Sequence, residues 1–238
     1  MLISDYQQRQ QRISEKRRTL LRFLRQETWS SAEVLQSLLG LSNTGTYKTL
    51  STFERDNLIT SHYLVELKYR IWGISPTGLF YAWDENEQME DRPTFQPSKV
   101  KAVMVRHHLD LQLARLQAEK TGWYTWTLEG DLPKGISKRP DAVVTNLLGE
   151  RIAVELERTV KTQKRYEVIF SDYLQAIKAG EYQSVHYVCP DPEFARRLHR
   201  LFQQIESVPI ANQRVTINDK HRNRLPVFAL SNWPPQGT

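Results

Sequence analysis

The sequence predicts an α+β chain in two domains: a small helical module closed by a β-hairpin, then a larger domain in which strands and helices alternate. Three observations carry this expectation. Apolar residues recur at helical spacing up to Leu58, an acidic, proline-bearing stretch interrupts the pattern at 84–97, and short β-type runs take over beyond Gly122. At 238 residues and 39% hydrophobic content, the chain is long enough to build two modest cores.

The first helix is expected over Ile13–Gln26, because Leu20, Leu21, Phe23 and Leu24 follow a start rich in Gln, Arg and Lys. A second begins at Ser30-Ser31, with Glu33 three residues after Ser30 resembling a capping box, and stops at Gly40. A third follows the short 41–43 connection, with Tyr47, Leu50, Phe53 and Leu58 placed on one face. Two helices, a short turn and a third helix give the helix-turn-helix order. His62–Leu67 and Ile71–Ile74, joined through Lys68-Tyr69-Arg70, read as a hairpin wing. Residues 1–83 are therefore expected to form an N-terminal winged helix-turn-helix domain.

The stretch 84–97 has too few apolar residues to build core and reads as a linker. Beyond it, 98–238 should open with a long helix over Ser98–Lys120, given an apolar side by Val103, Leu109, Leu113 and Leu116 and ended by Gly122. Strands are expected at Trp123–Leu128, Asp141–Asn146 and Arg151–Leu156, the last two joined by a Leu148-Gly149-Glu150 turn. A helix over Thr162–Ala179, a strand at Val185–Cys189, a helix over Pro192–Ile205 and a late strand within Leu225–Trp233 complete the domain.

Composition narrows the function classes. A formal net charge of +6 favours a polyanionic partner such as nucleic acid. A single cysteine, Cys189, excludes an internal disulfide and a cysteine-based zinc site. The N-terminus has no apolar leader-like run, and no stretch reaches the roughly 18 apolar residues of a membrane span, so a cytoplasmic location is expected.

The segment that carries chemistry is Arg139-Pro140-Asp141-Ala142-Val143-Val144, a turn, then Ile152-Ala153-Val154-Glu155-Leu156-Glu157. Strand alternation puts Glu155 and Glu157 on one face, and a hairpin can bring Asp141 beside them. Such a carboxylate cluster suits a hard cation, Mg²⁺ or Mn²⁺, which polarises a phosphate and acidifies a bound water for phosphodiester hydrolysis. Lys161 and Lys164, just past the strand, are candidates to face the phosphate or the attacking water. The competing reading makes Glu155 and Glu157 the solvated face of an edge strand, ion-paired at the surface with Lys161 and Arg158.

The spacing of Pro-Asp, thirteen residues, then Glu-x-Glu between two helices resembles the PD-(D/E)xK nuclease superfamily over roughly 99–205. The resemblance implies a restriction-endonuclease-like α/β domain. With the winged helix, RPDAVV, VELERT and a Tyr-bearing helix, the chain is also similar to the replication-relaxation family, which includes MOBC-class plasmid mobilisation relaxases. It implies nicking at a plasmid transfer origin, with accessory relaxosome and coupling proteins as partners. Carried over by position, Asp141 is the Asp of the PD pair and Glu155 the first acid of the second element. Glu157 stands where most of the superfamily has Lys, so the site is either inactive, or uses Glu157 as a ligand with the lysine moved to Lys161 or Lys164. A further acid could come from Glu119 or Glu129, of which Glu129 is preferred.

In the N-terminal domain, Thr44, Thr46, Tyr47, Lys48, Ser51, Thr52 and Arg55 are of the types that contact phosphates and base edges, with Lys68 and Arg70 at the wing. The competing reading is a helical module that joins proteins. His107 and His108 are expected to pack rather than bind metal. Tyr166 and Tyr173 invite a covalent tyrosine route, which the lack of a spaced histidine cluster disfavours. The expected activity is metal-dependent DNA nicking; the alternatives are a non-catalytic DNA-binding regulator on a degenerate nuclease fold and a restriction-like or repair endonuclease.

Overall fold

The computed structural model describes residues 6–211 and 213–237, and the chain divides into two compact units, Met1–Gln112 and Leu113–Thr238. The division falls inside a helix, not in the 84–97 stretch where the sequence places it.

The first unit runs α1 (Tyr6–Glu27), β1 (Trp29–Ser31), α2 (Ala32–Leu39), α3 (Asn43–Arg55), β2 (Ile59–Leu64), β3 (Tyr69–Ile74) and the short α4 (Pro76–Phe80). Helix α1 starts two turns before the expected Ile13, because Gln and Arg are good helix formers and propagate the turn outward from the buried Leu20, Leu21, Phe23 and Leu24. Ser31, not Ser30, caps α2: its hydroxyl accepts from the Val34 N–H at 3.3 Å. Glu33 closes no capping box and instead accepts from the Tyr69 hydroxyl. Gly40 ends α2 in the left-handed conformation (φ 60), as its lack of a Cβ permits.

Ser42 caps α3 by accepting from the Gly45 N–H. Leu50 and Phe53 face inward, whereas Tyr47 is 43% exposed and Leu58 lies beyond the helix. Strands β2 and β3 pair antiparallel from Ile59↔Ile74 to Leu64↔Tyr69, and β1 pairs β3 on its other side, giving the order β1-β3-β2. The hairpin tip is a single 3₁₀ turn at Val65–Leu67 followed by Lys68 at φ 50, so β2 ends three residues earlier than expected.

Residues 84–97 are not a free linker. Arg18 reaches Asp84 at 2.8 Å, Arg22 also bonds Asp84, and Arg25 grips Glu87 with bonds of 2.9 and 2.7 Å. Phe95 is buried, and a Cβ on Gly73 would overlap its ring. One well-seated aromatic and a ladder of arginines hold a segment whose average composition looks too polar to pack.

Helix α5 (Ala102–Lys120) begins later than expected, after a 3₁₀ turn at Pro97–Lys99, and Val103 is 85% exposed instead of joining an apolar side. The second unit continues with β4 (Tyr124–Leu128), β5 (Ala142–Thr145), β6 (Arg151–Leu156), α6 (Gln163–Lys178), β7 (Ser184–Cys189), α7 (Pro192–Gln203), the hairpin β8 (Ser207–Ile210) and β9 (Gln213–Thr216), α8 (Asp219–Arg222) and β10 (Val227–Ala229). Five strands form a mixed sheet in the order β10-β7-β6-β5-β4, antiparallel from β4 to β6 and parallel from β6 through β7 to β10. Strand β7 is buried along its whole length, the pattern of a central parallel strand. Helices α6 and α7 cover one sheet face, where Tyr166, Phe170, Tyr173, Leu198 and Phe202 share a core with Val143, Ala153, Val185 and Tyr187.

Candidate active site

The β5–β6 hairpin sets the geometry. Asn146 folds its tight turn: its Oδ1 accepts from the N–H groups of Leu148 (3.0 Å) and Glu150 (2.9 Å), and Gly149 adopts φ 79. The resulting register pairs Ala142 with Val154, which brings Asp141 and Glu155, one step beyond that pair, opposite each other. Asp141 is fixed by the Leu156 N–H, which donates to its Oδ2 at 2.7 Å. Pro140 and Asp141 thus sit where a strand begins and a carboxylate can accept from the neighbouring strand's end.

Glu155 is partly buried, its side chain 22% exposed. It accepts from the Tyr173 hydroxyl of α6, and Lys138 Nζ stands 4.0 Å from its Oε1 and 5.3 Å from the Tyr173 ring centre. Burial, then the Asp141 charge, push its carboxyl up to about 7, against the pull of Tyr173, Lys138 and Lys161. Two carboxylates in one partly desolvated spot, with a lysine beside them, form a site that gains from further positive charge.

Glu157 shares their sheet face but has a different role. Only 6% exposed, it lies just past β6, where its N–H donates to the Val188 carbonyl at 2.9 Å. Lys161 Nζ and the Tyr166 hydroxyl (3.0 Å) both donate to its Oε2. Among the described residues no three His, Cys, Asp or Glu side chains gather closely enough to hold a metal ion. The expected convergence of three carboxylates on one point is therefore corrected to an opposed pair, Asp141 and Glu155, with Glu157 tied into the segment that leads into α6. Two hard oxygen donors suit Mg²⁺ or Mn²⁺, which bind through one or two carboxylates and take their remaining ligands from water and phosphate.

The other expected residues are dispersed. Lys161 is engaged by Glu157, and Lys164 is exposed in the first turn of α6. Glu129 is exposed in a 3₁₀ turn after β4 and reaches Asp141 by its backbone, whose N–H donates to the Asp141 carbonyl at 3.0 Å. Lys138 is the residue that sequence inspection passes over. Its signal was proximity: it stands three positions before Asp141, in the run Lys138-Arg139-Pro140-Asp141. Tyr166 and Tyr173 are fully buried, and burial raises both phenol pKa values, so neither is set up as an attacking phenolate. His108 packs, its ring 4.4 Å from that of Trp29 and its Nε2 3.2 Å from the Glu27 carbonyl.

In the first unit, Thr44, Tyr47, Lys48, Ser51 and Arg55 are exposed along one face of α3, at spacings of three, four, seven and eleven from Thr44. Thr46 does not join them. It is 1% exposed and donates to the Ser42 carbonyl at 2.9 Å, while the half-buried Thr52 donates to the Lys48 carbonyl. Lys68 and Arg70 are exposed on the β2–β3 hairpin.

No family model, no curated protein and no solved structure matches this chain. Among the described residues, no helix is long and apolar enough to cross a membrane.

Proposed function

We propose that this protein binds duplex DNA through its first unit and nicks it through its second, by metal-dependent phosphodiester hydrolysis. The observation that carries the proposal is the opposed pair Asp141 and Glu155 on the β5–β6 hairpin, with Lys138 beside Glu155. The order α5-β4-β5-β6-α6-β7, with an antiparallel β4–β6 meander joined to a parallel β7, supports a restriction-endonuclease-like PD-(D/E)xK domain. The order α1-β1-α2-α3-β2-β3 with sheet order β1-β3-β2 supports a winged helix whose α3 exposes polar and basic residues and whose hairpin carries Lys68 and Arg70.

Asp141 and Glu155 would hold Mg²⁺ or Mn²⁺, which supplies Lewis-acid polarisation of the scissile phosphate and an acidified water. Asp141 is oriented for this by the Leu156 N–H, and Glu155 by the Tyr173 hydroxyl. Lys138 brings a positive charge to the place where charge develops on the phosphate, the part that lysine plays in PD-(D/E)xK enzymes. The relaxase resemblance makes a plasmid transfer origin the substrate and accessory relaxosome and coupling proteins the partners.

The experiment incubates supercoiled plasmid with the protein and Mg²⁺ or Mn²⁺, with and without a candidate origin. Conversion to open circles that chelator, Asp141→Asn or Glu155→Gln prevents is the expected result. Equal nicking of both plasmids would defeat the relaxase version and leave a general endonuclease. A second reading, a non-catalytic DNA-binding regulator, draws on Glu157: it occupies the usual lysine position, is paired with Lys161 and accepts from the Tyr166 hydroxyl. Specific retardation of DNA with no nicking under any metal would select it.

A further inference from the structure

The outer turns of α1 are a surface that neither the site nor the helix-turn-helix uses. Every described residue from Tyr6 to Thr19 is exposed apart from the half-buried Lys16, and burial in α1 begins at Leu20. Between Tyr6 and Arg18 there are five basic residues, Arg9, Arg12, Lys16, Arg17 and Arg18, against one acid, Glu15.

These charges are sorted by face. At 100° per residue, Arg9, Arg12 and Lys16 fall within about 60° of one another, while Gln7, Gln11 and Ser14 lie on the far side. Arg18 lies opposite Arg9 and is held by Asp84 at 2.8 Å; Arg22 bonds the same carboxylate. Glu15 is turned about a quarter of a turn from the middle of the stripe and accepts from Gln11 at 3.1 Å. Arg18 and Arg22 of one face thus meet the acidic 84–87 segment, and the other face presents Arg9 and Arg12, both exposed, and the half-buried Lys16.

We infer that this second face is a backbone-binding arm for duplex DNA, in which Arg9, Arg12 and Lys16 contact consecutive phosphates without reading sequence. Arg9 and Lys16 are about 10 Å apart along the helix axis, or about three base-pair steps of duplex. A lipid surface fits the arm poorly, because Tyr6 and Ile13 are the only large apolar side chains that Tyr6–Arg18 offers for burial in acyl chains. A second copy of the same arm fits poorly as well, since like charges would meet. The inference rests on the DNA-binding reading and adds to it a contact outside the helix-turn-helix and wing.

The test measures duplex affinity by fluorescence anisotropy across a salt series, for the full chain and two exposed-surface variants checked by circular dichroism. The arm variant is Arg9→Ala/Arg12→Ala/Lys16→Ala; the control is Gln7→Ala/Gln11→Ala/Ser14→Ala on the opposite face. The arm variant should bind roughly 10- to 100-fold more weakly near 0.1 M salt, equally on unrelated sequences, with a log K versus log[salt] slope shallower by about 2–3. The control should match the parent protein. If the parent binds and the arm variant keeps its affinity and slope, the arm is refuted while DNA binding stands. A parent that binds no duplex overturns both. An equal loss in the control refutes the arm, as does a variant that changes only binding to anionic vesicles or self-association.

Discussion

Lys138 and Lys161 are both within reach of carboxylates, and what each one neutralises separates them. Lys161 bonds Glu157, a nearly buried carboxylate that also takes the Tyr166 hydroxyl, so its loss leaves a buried charge with one donor fewer. Lys138 stands beside Glu155, next to Asp141. Lys138→Ala is expected to lower the proposed nicking by about 100-fold with thermal stability nearly unchanged. Lys161→Ala should chiefly lower the melting temperature. Parallel rate and melting measurements on the two variants decide the assignment, and the reverse pattern would give the proposed catalytic role to Lys161. In α3 the contrast is between neighbours: Lys48→Ala should weaken the proposed DNA binding several-fold, whereas Thr46→Val, at a buried site bonded to Ser42, should leave affinity alone and cost about 1 kcal/mol of stability. Equal losses of affinity would mean that burial does not separate the two residues.

At the scale of elements, the β5–β6 hairpin places the carboxylates and the 84–97 segment completes the first core. Asn146 and Gly149 fix the turn; the turn fixes the register; the register sets Asp141 opposite Glu155. Slippage by one residue would turn Glu155 to the other sheet face. Phe95 has a comparable role in the first unit, filling the space above Gly73. Phe95→Ala should therefore destabilise that unit by about 3–5 kcal/mol, and Gly73→Ala should also destabilise it because the added carbon overlaps the ring. Hydrogen exchange of the backbone amides of 6–112 in the full chain, across a urea series, reads both. A neutral Phe95→Ala would restore the stretch to a linker.

For the molecule as a whole, stability should depend on pH through a group on the sheet face opposite the proposed chemistry, where His186 pairs with Val154. His186 is buried in β7, where its Nδ1 accepts from the Trp233 indole N–H at 3.1 Å, and burial holds its pKa down at about 3. In the unfolded chain it titrates near 6.5, so below that pH the unfolded state takes up a proton that the native state refuses. Its contribution is fully present above 6.5 and is lost, at about 1.4 kcal/mol per unit, as pH falls towards 3. Unfolding free energies at about pH 7.5, 6.5, 5.5 and 4.5 should show this slope reduced by one proton in His186→Gln; an unchanged slope would rule it out. Much of the architecture was already legible in the sequence. Gly40 stops a helix, Leu148-Gly149-Glu150 marks a hairpin, and the run at Val185–Cys189 marks a strand, because stops, turns and periodicity are local physics. The short β1 and the β8–β9 hairpin left no comparable pattern, since strands of three or four residues are defined by their partners. The sequence by itself determined the mixed α+β order and the shared face of Glu155 and Glu157, and allowed a hairpin to bring Asp141 beside them. Only the tertiary structure decided that two of those carboxylates oppose each other while the third is clamped by Lys161 and Tyr166, because pairing of charges depends on distances between segments that spacing along a chain does not contain.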